Sequence, residues 1–213
     1  MANGKRGAFV VLEGIDGSGK GTQIRLLKQR IEAEGCPVCC AAEPNDSPFG
    51  AMIHQIMTGR IRTTNDVIAA LFVADRLDHI QNDTNGLLKY LNSGINVLED
   101  RYYFSSYAYQ SVDLPMDWIM QANAPCEKLL RADMTLFIDV TPETAIGRIE
   151  QNRMSRELFE EKDRLARTRE RYFEAFEKRR DTENVVIIDG EGEVGEIAEK
   201  IWKAARHLFR KGK

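Results

Sequence analysis

The sequence contains no long apolar run and little cysteine or proline. Its 213 residues include four cysteines and six prolines. No apolar stretch approaches the roughly 18 residues that a membrane-spanning helix needs. Internal repeats and low-complexity linkers are also missing, and the N-terminal segment is short and polar, without the features of a secretory signal. We therefore predict a cytoplasmic protein that does not associate with a membrane.

Charge of one sign does not dominate. The chain has 30 basic and 33 acidic side chains, which gives a formal net charge of −3. A nucleic-acid-binding domain usually carries a marked basic excess, so we predict no nucleic-acid partner. Any site for an anion must be local, because the surface as a whole does not attract one.

The cysteines form no recognisable metal or redox motif. Cys36 and Cys39 have CxxC spacing, but no second pair of ligands follows at a spacing suited to zinc. The pair lies in a strand-like run rather than at the start of a helix. We interpret Cys36, Cys39 and Cys40 as small residues of a buried strand in a reducing compartment.

Short apolar runs alternate with amphipathic segments along the chain. The apolar runs predict five strands, at 7–13, 37–42, 95–98, 134–140 and 185–189. Helices are predicted at 20–34, 47–57, 65–91, 104–110, 115–121, from residue 142, over the later part of 154–180, and at 194–209. This alternation predicts one α/β domain over residues 1–213, a five-stranded parallel sheet with helices on both faces. Such sheets bind ligands at the carboxyl ends of their strands.

A glycine-rich loop follows the first predicted strand and opens the first predicted helix. It consists of Gly14, Ile15, Asp16, Gly17, Ser18, Gly19, Lys20, Gly21 and Thr22. Strand, spacing, lysine and helix together match a P-loop, whose backbone N–H groups surround phosphate oxygens. The helix N-terminus adds partial positive charge, and the lysine can reach the β- and γ-phosphates. The pattern predicts an ATP-binding site.

Two residues of this loop need explanation. Gly21 stands where most P-loops have a Ser or Thr that binds magnesium, so either Thr22 or a carboxylate elsewhere must hold the ion. Asp16 would be repelled by a polyphosphate unless it faces something else. A sugar hydroxyl, a magnesium-bound water or a hydrogen bond within its own loop would each account for it.

A second polar cluster follows the third predicted strand. Asp100 stands at a strand tip, where a carboxylate can hold Mg²⁺ directly or through water. Arg101 beside it can clamp a phosphate or a transferring phosphoryl group. The two residues therefore predict phosphoryl-transfer chemistry at the same sheet edge as the glycine-rich loop.

At this point the sequence resembles the thymidylate kinase family, in the P-loop nucleoside-monophosphate kinase class. The family's motifs match nearly the whole chain, from about residue 8 to residue 190. They are GxDGxGK at 14–20, Glu-Pro at 43–44, LFxADR at 71–76, DR[YH]xxSxxAYQ at 100–110 and the strand-helix segment at 136–148. A P-loop alone occurs in many families, whereas this combination is specific.

The resemblance implies a kinase that transfers the γ-phosphoryl group of ATP to dTMP, with Mg²⁺ as cofactor. It implies that Phe72 stacks on thymine, that Arg76 and Arg101 hold the acceptor phosphate, and that Ser105 and Ser106 bond to the base edge. It also implies that Tyr109 excludes a 2′-hydroxyl and that Asp16 reaches the 3′-hydroxyl side. Glu43 is placed with the dTMP-binding residues, and Arg148 with ATP, packing on adenine.

The resemblance also implies a small helical lid, at about residues 148–160, that closes over ATP. Some members carry a catalytic arginine in the P-loop, but this chain has Gly17 and Ser18 there. Arg153 and Arg156 are therefore the candidates for a lid arginine that stabilises the transition state. The family often has Asp-Arg where this chain has Ser155 and Arg156, so the resemblance fixes the lid alignment only to within a few residues.

Other readings of the motifs stay open. The chain could be a different nucleoside or nucleoside-monophosphate kinase, since Gly21 resembles adenylate-kinase-like loops, or a P-loop switch or partition ATPase. No Asn-Lys-x-Asp motif supports a GTPase. Family members are usually homodimers, and apolar residues of the 65–91 segment could line an interface or the core. His54, His79 and His207 are isolated in sequence, and we expect ordinary helix-surface roles for them.

Overall fold

The computed structural model describes residues 6–149 and 155–209, with only the backbone described for 155–161. Within these ranges five strands form one sheet, in the order β2-β3-β1-β4-β5, and every neighbouring pair is parallel. The strands are β1 (Phe9–Glu13), β2 (Val38–Ala42), β3 (Asn96–Asp100), β4 (Met134–Asp139) and β5 (Val185–Asp189). The five-stranded parallel sheet predicted from the sequence is confirmed.

Helices cover both faces of the sheet. They are α1 (Lys20–Ala33), α2 (Pro48–Met57), α3 (Asn65–Gln81), α4 (Leu87–Asn92), α5 (Tyr103–Tyr109), α6 (Met116–Leu129), α7 (Pro142–Ile149), α8 (Ser155–Arg179) and α9 (Val194–Ala205). A 3₁₀ turn at Gln110–Val112 follows α5. Across the described ranges, none of the helices combines the length and apolarity needed to cross a bilayer.

Alternating side chains of the central strand enter two separate cores. Val10 and Leu12 pack with apolar residues of α1 and α9 on one face of the sheet. Phe9 and Val11 pack on the other face with an aromatic-rich cluster from α5 and α8. This division follows from the two-residue period of a strand, and it explains why β1 is apolar at both alternating sets of positions.

The edge strand β2 is less buried than we predicted. Cys36, just before it, is buried, but Cys39 is only half-buried and Cys40 is exposed. An edge strand has a neighbour on one side only, so fewer elements cover its side chains. The prediction of burial is therefore confirmed for Cys36, which lies just before the strand, and is wrong for Cys40.

The segment 65–91, predicted as one helix, forms α3 and α4 instead. Residues 82–86 form a turn in which the Asn82 side chain accepts a hydrogen bond from the Thr84 backbone N–H, at 2.9 Å. Gly86 then precedes α4. Asn side chains compete with helical hydrogen bonds in this way, and this turn chemistry ends α3.

Two predicted helix ends are also wrong. The helix predicted at 115–121 continues to Leu129 as α6 and contains Pro125. Its buried face continues through Asn123 and Cys126, and this packing favours a longer helix than local pattern alone indicates. Helix α9 ends at Ala205, where a turn closed by the Leu208 N–H bonding to the Ala205 carbonyl begins.

Strand register brings the polar segments of the sequence to one edge. Leu12 of β1 lies beside Asp100 of β3 on one side and beside Leu136 of β4 on the other. The Arg101 backbone N–H donates to the Leu12 carbonyl at 3.1 Å, which extends the β1–β3 pairing past the strand end. The residues that follow these strands therefore share one site.

Candidate active site

The glycine-rich loop makes a tight turn between β1 and α1. Gly17 has φ 79°, and a Cβ there would lie 2.3 Å from the Ala145 carbonyl oxygen. Gly19 has φ 93° and stands at the N-terminus of α1. Both positions require glycine, the first by contact with α7 and the second by its left-handed backbone. The last residues of the loop therefore form the first turn of α1.

Lys20 lies on that first turn and is buried. Its Nζ donates to the carbonyl oxygens of Gly14 and Ile15, at 3.0 and 3.2 Å. Burial and the Arg101 charge together lower the pKa of Lys20 to about 8, against the opposing effect of Asp100. The ammonium group therefore lies within the loop that would surround phosphate.

Arg101 reaches across from β3 to the glycine-rich loop. Its guanidinium forms an ion pair with Asp16, and it donates to the Ser105 hydroxyl at 3.2 Å. The guanidinium also lies over the Tyr109 ring, 4.9 Å from the ring centroid. Arg101 has φ 69°, a conformation that costs a non-glycine residue of order 1–3 kcal/mol and is found mainly at functional sites.

Asp16 and Tyr109 are joined by two hydrogen bonds. The Asp16 backbone N–H donates to the Tyr109 hydroxyl at 3.0 Å, and this hydroxyl donates to the Asp16 carboxylate at 3.2 Å. Burial raises the pKa of Tyr109, so its hydroxyl stays protonated. The sequence prediction placed Asp16, Arg101 and Tyr109 in one site, and the structure brings these three side chains together.

Asp100 supplies an unpaired carboxylate oxygen at this edge. Its Oδ1 is buried and has no hydrogen-bond partner within the described residues. Its charge acts on Lys20, which raises the pKa of that lysine. Thr22 is exposed on the first turn of α1. A free carboxylate oxygen at a strand tip fits a hard divalent cation or one of its waters.

Glu13 organises this site but was not predicted. It is fully buried, and it accepts hydrogen bonds from the Tyr102 and Ser105 backbone N–H groups at 2.8 and 3.1 Å. The Ser105 hydroxyl donates to it at 2.6 Å, and the Tyr172 hydroxyl of α8 at 2.8 Å. A charged residue at the end of the run FVVLE was the sequence signal for such a role.

Burial raises the pKa of Glu13, and the hydrogen bond from Ser105 and the Arg101 charge oppose that rise. Ser105, which the resemblance assigned to the base edge, has its hydroxyl engaged by Glu13, Tyr172 and Arg101. The network fixes β1, the segment after β3 and helix α8 relative to one another. It thereby positions Arg101.

Arg76 is buried in a different network. Its Nε donates to Glu43 at 2.8 Å, and its Nη2 forms an ion pair with the same carboxylate at 2.6 Å. Both Nη atoms donate to the Ser106 hydroxyl, at 3.2 and 3.1 Å. It also donates to Asn123, a residue that sequence reasoning missed. The side chain is 1% exposed. The structure thus brings together Glu43, Arg76 and Ser106. The hydrogen bonds of this network are separate from those that Arg101 makes.

Two other predicted residues lie at the edges of the site. Phe72 is half-buried on α3, one helical turn before Arg76. Arg148 of α7 donates to the Ser18 carbonyl at 3.3 Å and to the Gly190 carbonyl at 3.0 Å, so it joins the glycine-rich loop to the segment after β5. Arg153 lies outside the described residues, and Arg156 lies on α8 within the part whose side chains are not described.

His79 is not a surface residue, contrary to our prediction. It is buried, with its Nδ1 atom 3.6 Å from Glu43 and 3.8 Å from Glu99. Burial raises the pKa of Glu99 well above its usual range, and the charges of Glu43 and Asp100 raise it further. His79 and Glu99 were missed because only the tertiary fold brings the His79 side chain close to both carboxylates. His54 and His207 are exposed as expected.

The glycine-rich loop lies between a parallel strand and a helix, and an arginine from the adjacent strand end reaches into it. This arrangement defines a P-loop protein of the nucleoside-monophosphate kinase class. Comparison with known proteins narrows the class. A family model described as thymidylate kinase matches residues 12–201. The chain belongs to the thymidylate kinase family.

Similar proteins carry matching names. A probable thymidylate kinase of Methanocaldococcus jannaschii is 35% identical, over 85% of this chain and 86% of its own length. A putative thymidylate kinase of Aeropyrum pernix is 35% identical, over 92% of this chain and 96% of its own. A thymidylate kinase of Symbiobacterium thermophilum is 30% identical, over 94% of each chain. The family and these relatives support an enzyme with dTMP kinase function.

Proposed function

We propose that the protein transfers the γ-phosphoryl group of ATP to dTMP, giving dTDP and ADP for dTTP synthesis. The observation that carries this proposal is the convergence of Lys20, Asp100 and Arg101 at the carboxyl ends of β1 and β3. Two cations of different geometry, beside a loop of backbone amides, suit two phosphate chains that meet end to end.

The chemistry needs no covalent intermediate. An oxygen of the acceptor phosphate attacks the γ-phosphorus in line, and the charge that develops on the phosphoryl oxygens is stabilised by Lys20 and Arg101. Glu13 and Ser105 hold Arg101 in its costly backbone conformation, so the guanidinium does not have to reorganise during the reaction.

We assign the magnesium that accompanies ATP to Asp100, directly or through water, with Thr22 as a second candidate ligand. The unpaired Oδ1 of Asp100 supports this assignment, because hard cations prefer carboxylate oxygens. Bound there, Mg²⁺ would neutralise phosphate charge. Gly21 offers no ligand of its own.

The acceptor site lies on the side of Asp16 and Tyr109. Their mutual hydrogen bonds join a carboxylate to a bulky ring, which supports our inference that the site accepts a deoxyribose and rejects a 2′-hydroxyl. Phe72 would stack on thymine, while Arg76, Ser106 and Glu43 form the buried end of this pocket. Arg76 is fully bonded within the protein, which supports a role in shaping the pocket alongside its predicted contact with dTMP.

The donor site comprises the loop from Gly14 to Thr22, with Arg148 beside it. Arg148 bonds to the Ser18 carbonyl, which supports its proposed place against adenine. We propose that residues 148–160 close over ATP as a lid within a single domain, and that Arg153 or Arg156 reaches the phosphates on closure. A cation that arrives only on closure would couple substrate binding to transition-state stabilisation.

We further propose a cytoplasmic homodimer. Large apolar side chains are exposed on the adjoining helices α2 and α3 and the segment between them: Phe49, Met52, Met57, Ile61 and Val67. Val73, by contrast, packs against the core. Exposed apolar groups gathered in one region commonly mark an interface.

The decisive experiment is product analysis after incubation with ATP, Mg²⁺ and dTMP. We expect dTDP and ADP in equal amounts. Arg101→Ala should lower kcat/KM by about 10²–10³-fold, since it removes a cation from the developing charge. Arg62→Ala, a change at an exposed arginine, should leave turnover unchanged. Near-normal turnover by Arg101→Ala would remove the proposed role.

The same assay separates the alternative functions. A panel of dTMP, dUMP, dCMP and AMP as acceptors distinguishes dTMP kinase from another monophosphate kinase. A switch or partition ATPase would release inorganic phosphate without forming any nucleoside diphosphate from the acceptor. A protein that binds dTMP without catalysis would form neither product.

A further inference from the structure

Three buried side chains converge beneath the carboxyl ends of β2 and β3. Glu43 follows β2, Glu99 lies in β3, and His79 lies on α3. One ligand atom from each lies within 4.8 Å of the others. The His79 Nδ1 atom is 3.6 Å from Glu43 Oε1 and 3.8 Å from Glu99 Oε1.

These ligand atoms have no other partner within the described residues. Glu43 Oε1, His79 Nδ1 and both Glu99 oxygens are buried without a hydrogen bond. The three residues are 4%, 8% and 0% exposed. Arg76 bonds to the opposite oxygen of Glu43, Oε2, so it leaves the inward-facing oxygens free. Buried polar atoms without partners are rare and point to a bound group.

We propose that Glu43, His79 and Glu99 bind a divalent first-row transition-metal ion, with Zn²⁺ as the reference case. An imidazole nitrogen with carboxylate oxygens suits Zn²⁺ and its neighbours better than Mg²⁺ or Ca²⁺. Around Zn²⁺ the bonds are about 2.0–2.2 Å long, so ligand atoms stand roughly 3–3.5 Å apart. The two His79 separations, 3.6 and 3.8 Å, are close to that spacing, and the ligand atoms of Glu43 and Glu99 lie within 4.8 Å of each other.

This site is distinct from the one that holds ATP and Mg²⁺. Neighbouring residues of a strand project to opposite faces, so Glu99 points toward His79 while Asp100 serves the face of the glycine-rich loop. An ion held by Glu43 and Glu99 would join β2, β3 and α3. It would also hold Glu43, and through it Arg76, at the buried end of the acceptor pocket.

The test measures metal binding by the nucleotide-free full chain. Chelator-treated protein is dialysed against Zn²⁺ in excess Mg²⁺, which occupies oxygen-only sites, and metal content is measured by mass spectrometry. We expect about one Zn²⁺ per chain, with a rise in Tm because the ion binds the folded state. Glu99→Gln and His79→Gln should each weaken binding by at least about tenfold and remove the Tm rise.

Two sets of controls address competing ligands. The double variant His54→Gln/His207→Gln, at exposed histidines, should bind Zn²⁺ as the unmodified chain does. Cys39→Ser/Cys40→Ser should do the same. Co²⁺ in place of Zn²⁺ should give an absorption spectrum of nitrogen and oxygen ligands, without a sulfur-to-metal charge-transfer band.

Three results would overturn the proposal. The first is no saturable Zn²⁺ binding, as expected if Glu99 instead shares a proton with its neighbours. The second is binding that Glu99→Gln leaves unchanged; this variant keeps the shape of the side chain and places a neutral group in buried surroundings, so it is expected to fold. The third is binding that disappears in the cysteine variant. None of these depends on kinase activity.

Discussion

The Lys20 side chain changes its charge state close to pH 8. Burial and the Arg101 guanidinium lower its pKa to about 8. Phosphate binding requires the ammonium form, so above pH 8 binding must be accompanied by proton uptake. We expect the affinity for ATP to fall above pH 8, by up to about tenfold per pH unit.

The effect of Lys20 on folding stability distinguishes this loss of ATP affinity from alkaline unfolding of the protein. Since the folded pKa of Lys20 lies below its unfolded value of 10.5, this group makes folding more favourable as pH rises from 8 toward 10.5. Calorimetric titration of ATP, with circular dichroism at each pH, tests the prediction. Lys20→Met should bind weakly with no such pH dependence, and an identical slope in this variant would refute the assignment.

Tyr172 links helix α8 to the catalytic edge through a single hydroxyl. That hydroxyl donates to Glu13 at 2.8 Å and contacts the Ser105 hydroxyl at 2.8 Å. Tyr172→Phe should lower the free energy of unfolding by about 1–3 kcal/mol, because it leaves a buried carboxylate short of one donor. Urea denaturation measures this. Tyr90→Phe, at a half-buried tyrosine on α4, should change stability by much less.

Residues with a local signature were predictable and residues that act through tertiary contacts were not. Lys20 stands in a motif that fixes its surroundings, so its place followed from sequence. Glu13, Asn123 and His79 have no such motif. Their partners lie 30 or more positions away along the chain or on other elements, and only packing shows which polar groups they satisfy.

At the scale of elements, the start of α2 depends on close approach between a helix and the preceding loop. A Cβ at Gly50 would lie 1.8 Å from the Asn45 carbonyl oxygen. Gly50→Ala should therefore destabilise the fold by about 1–3 kcal/mol, as overpacking does. Denaturant titration gives the value.

Gly195→Ala provides the matched control for that change. Gly195 is also a helical glycine, in α9, but nothing lies within 4 Å of the position a Cβ would take. This variant should gain about 0.4–1 kcal/mol from lower entropy of the unfolded chain. Equal effects of the two substitutions would contradict the steric explanation for Gly50.

Element types were easier to predict than element ends. The five apolar runs gave the strands because each is short and bounded by glycine or polar residues. The division between α3 and α4 depends on one asparagine side chain bonding to its own turn, and α6 passes through Pro125 because its buried face continues. Both outcomes are set by contacts that override local pattern.

For the whole molecule, the proposed dimer gives a direct test. We expect light scattering after gel filtration to give twice the 24.2 kDa chain mass. The double change Met52→Asp/Val67→Asp, at side chains 46% and 43% exposed, should shift the population to monomer. Val194→Asp, 49% exposed on α9, is the control and should leave the mass unchanged. A monomeric unmodified chain would refute the dimer.

The central position of β1 has a consequence for synthesis on the ribosome. Its neighbours are distant along the chain: contacts near its start join residues 88 and 124 positions apart. The glycine-rich loop leaves the ribosome early, but β3 and β4, which pair with β1, and Arg101, which contacts the loop, are translated much later. A nascent chain should therefore acquire nucleotide affinity abruptly, once β4 has left the exit tunnel, and a series of stalled chains of increasing length would show that step.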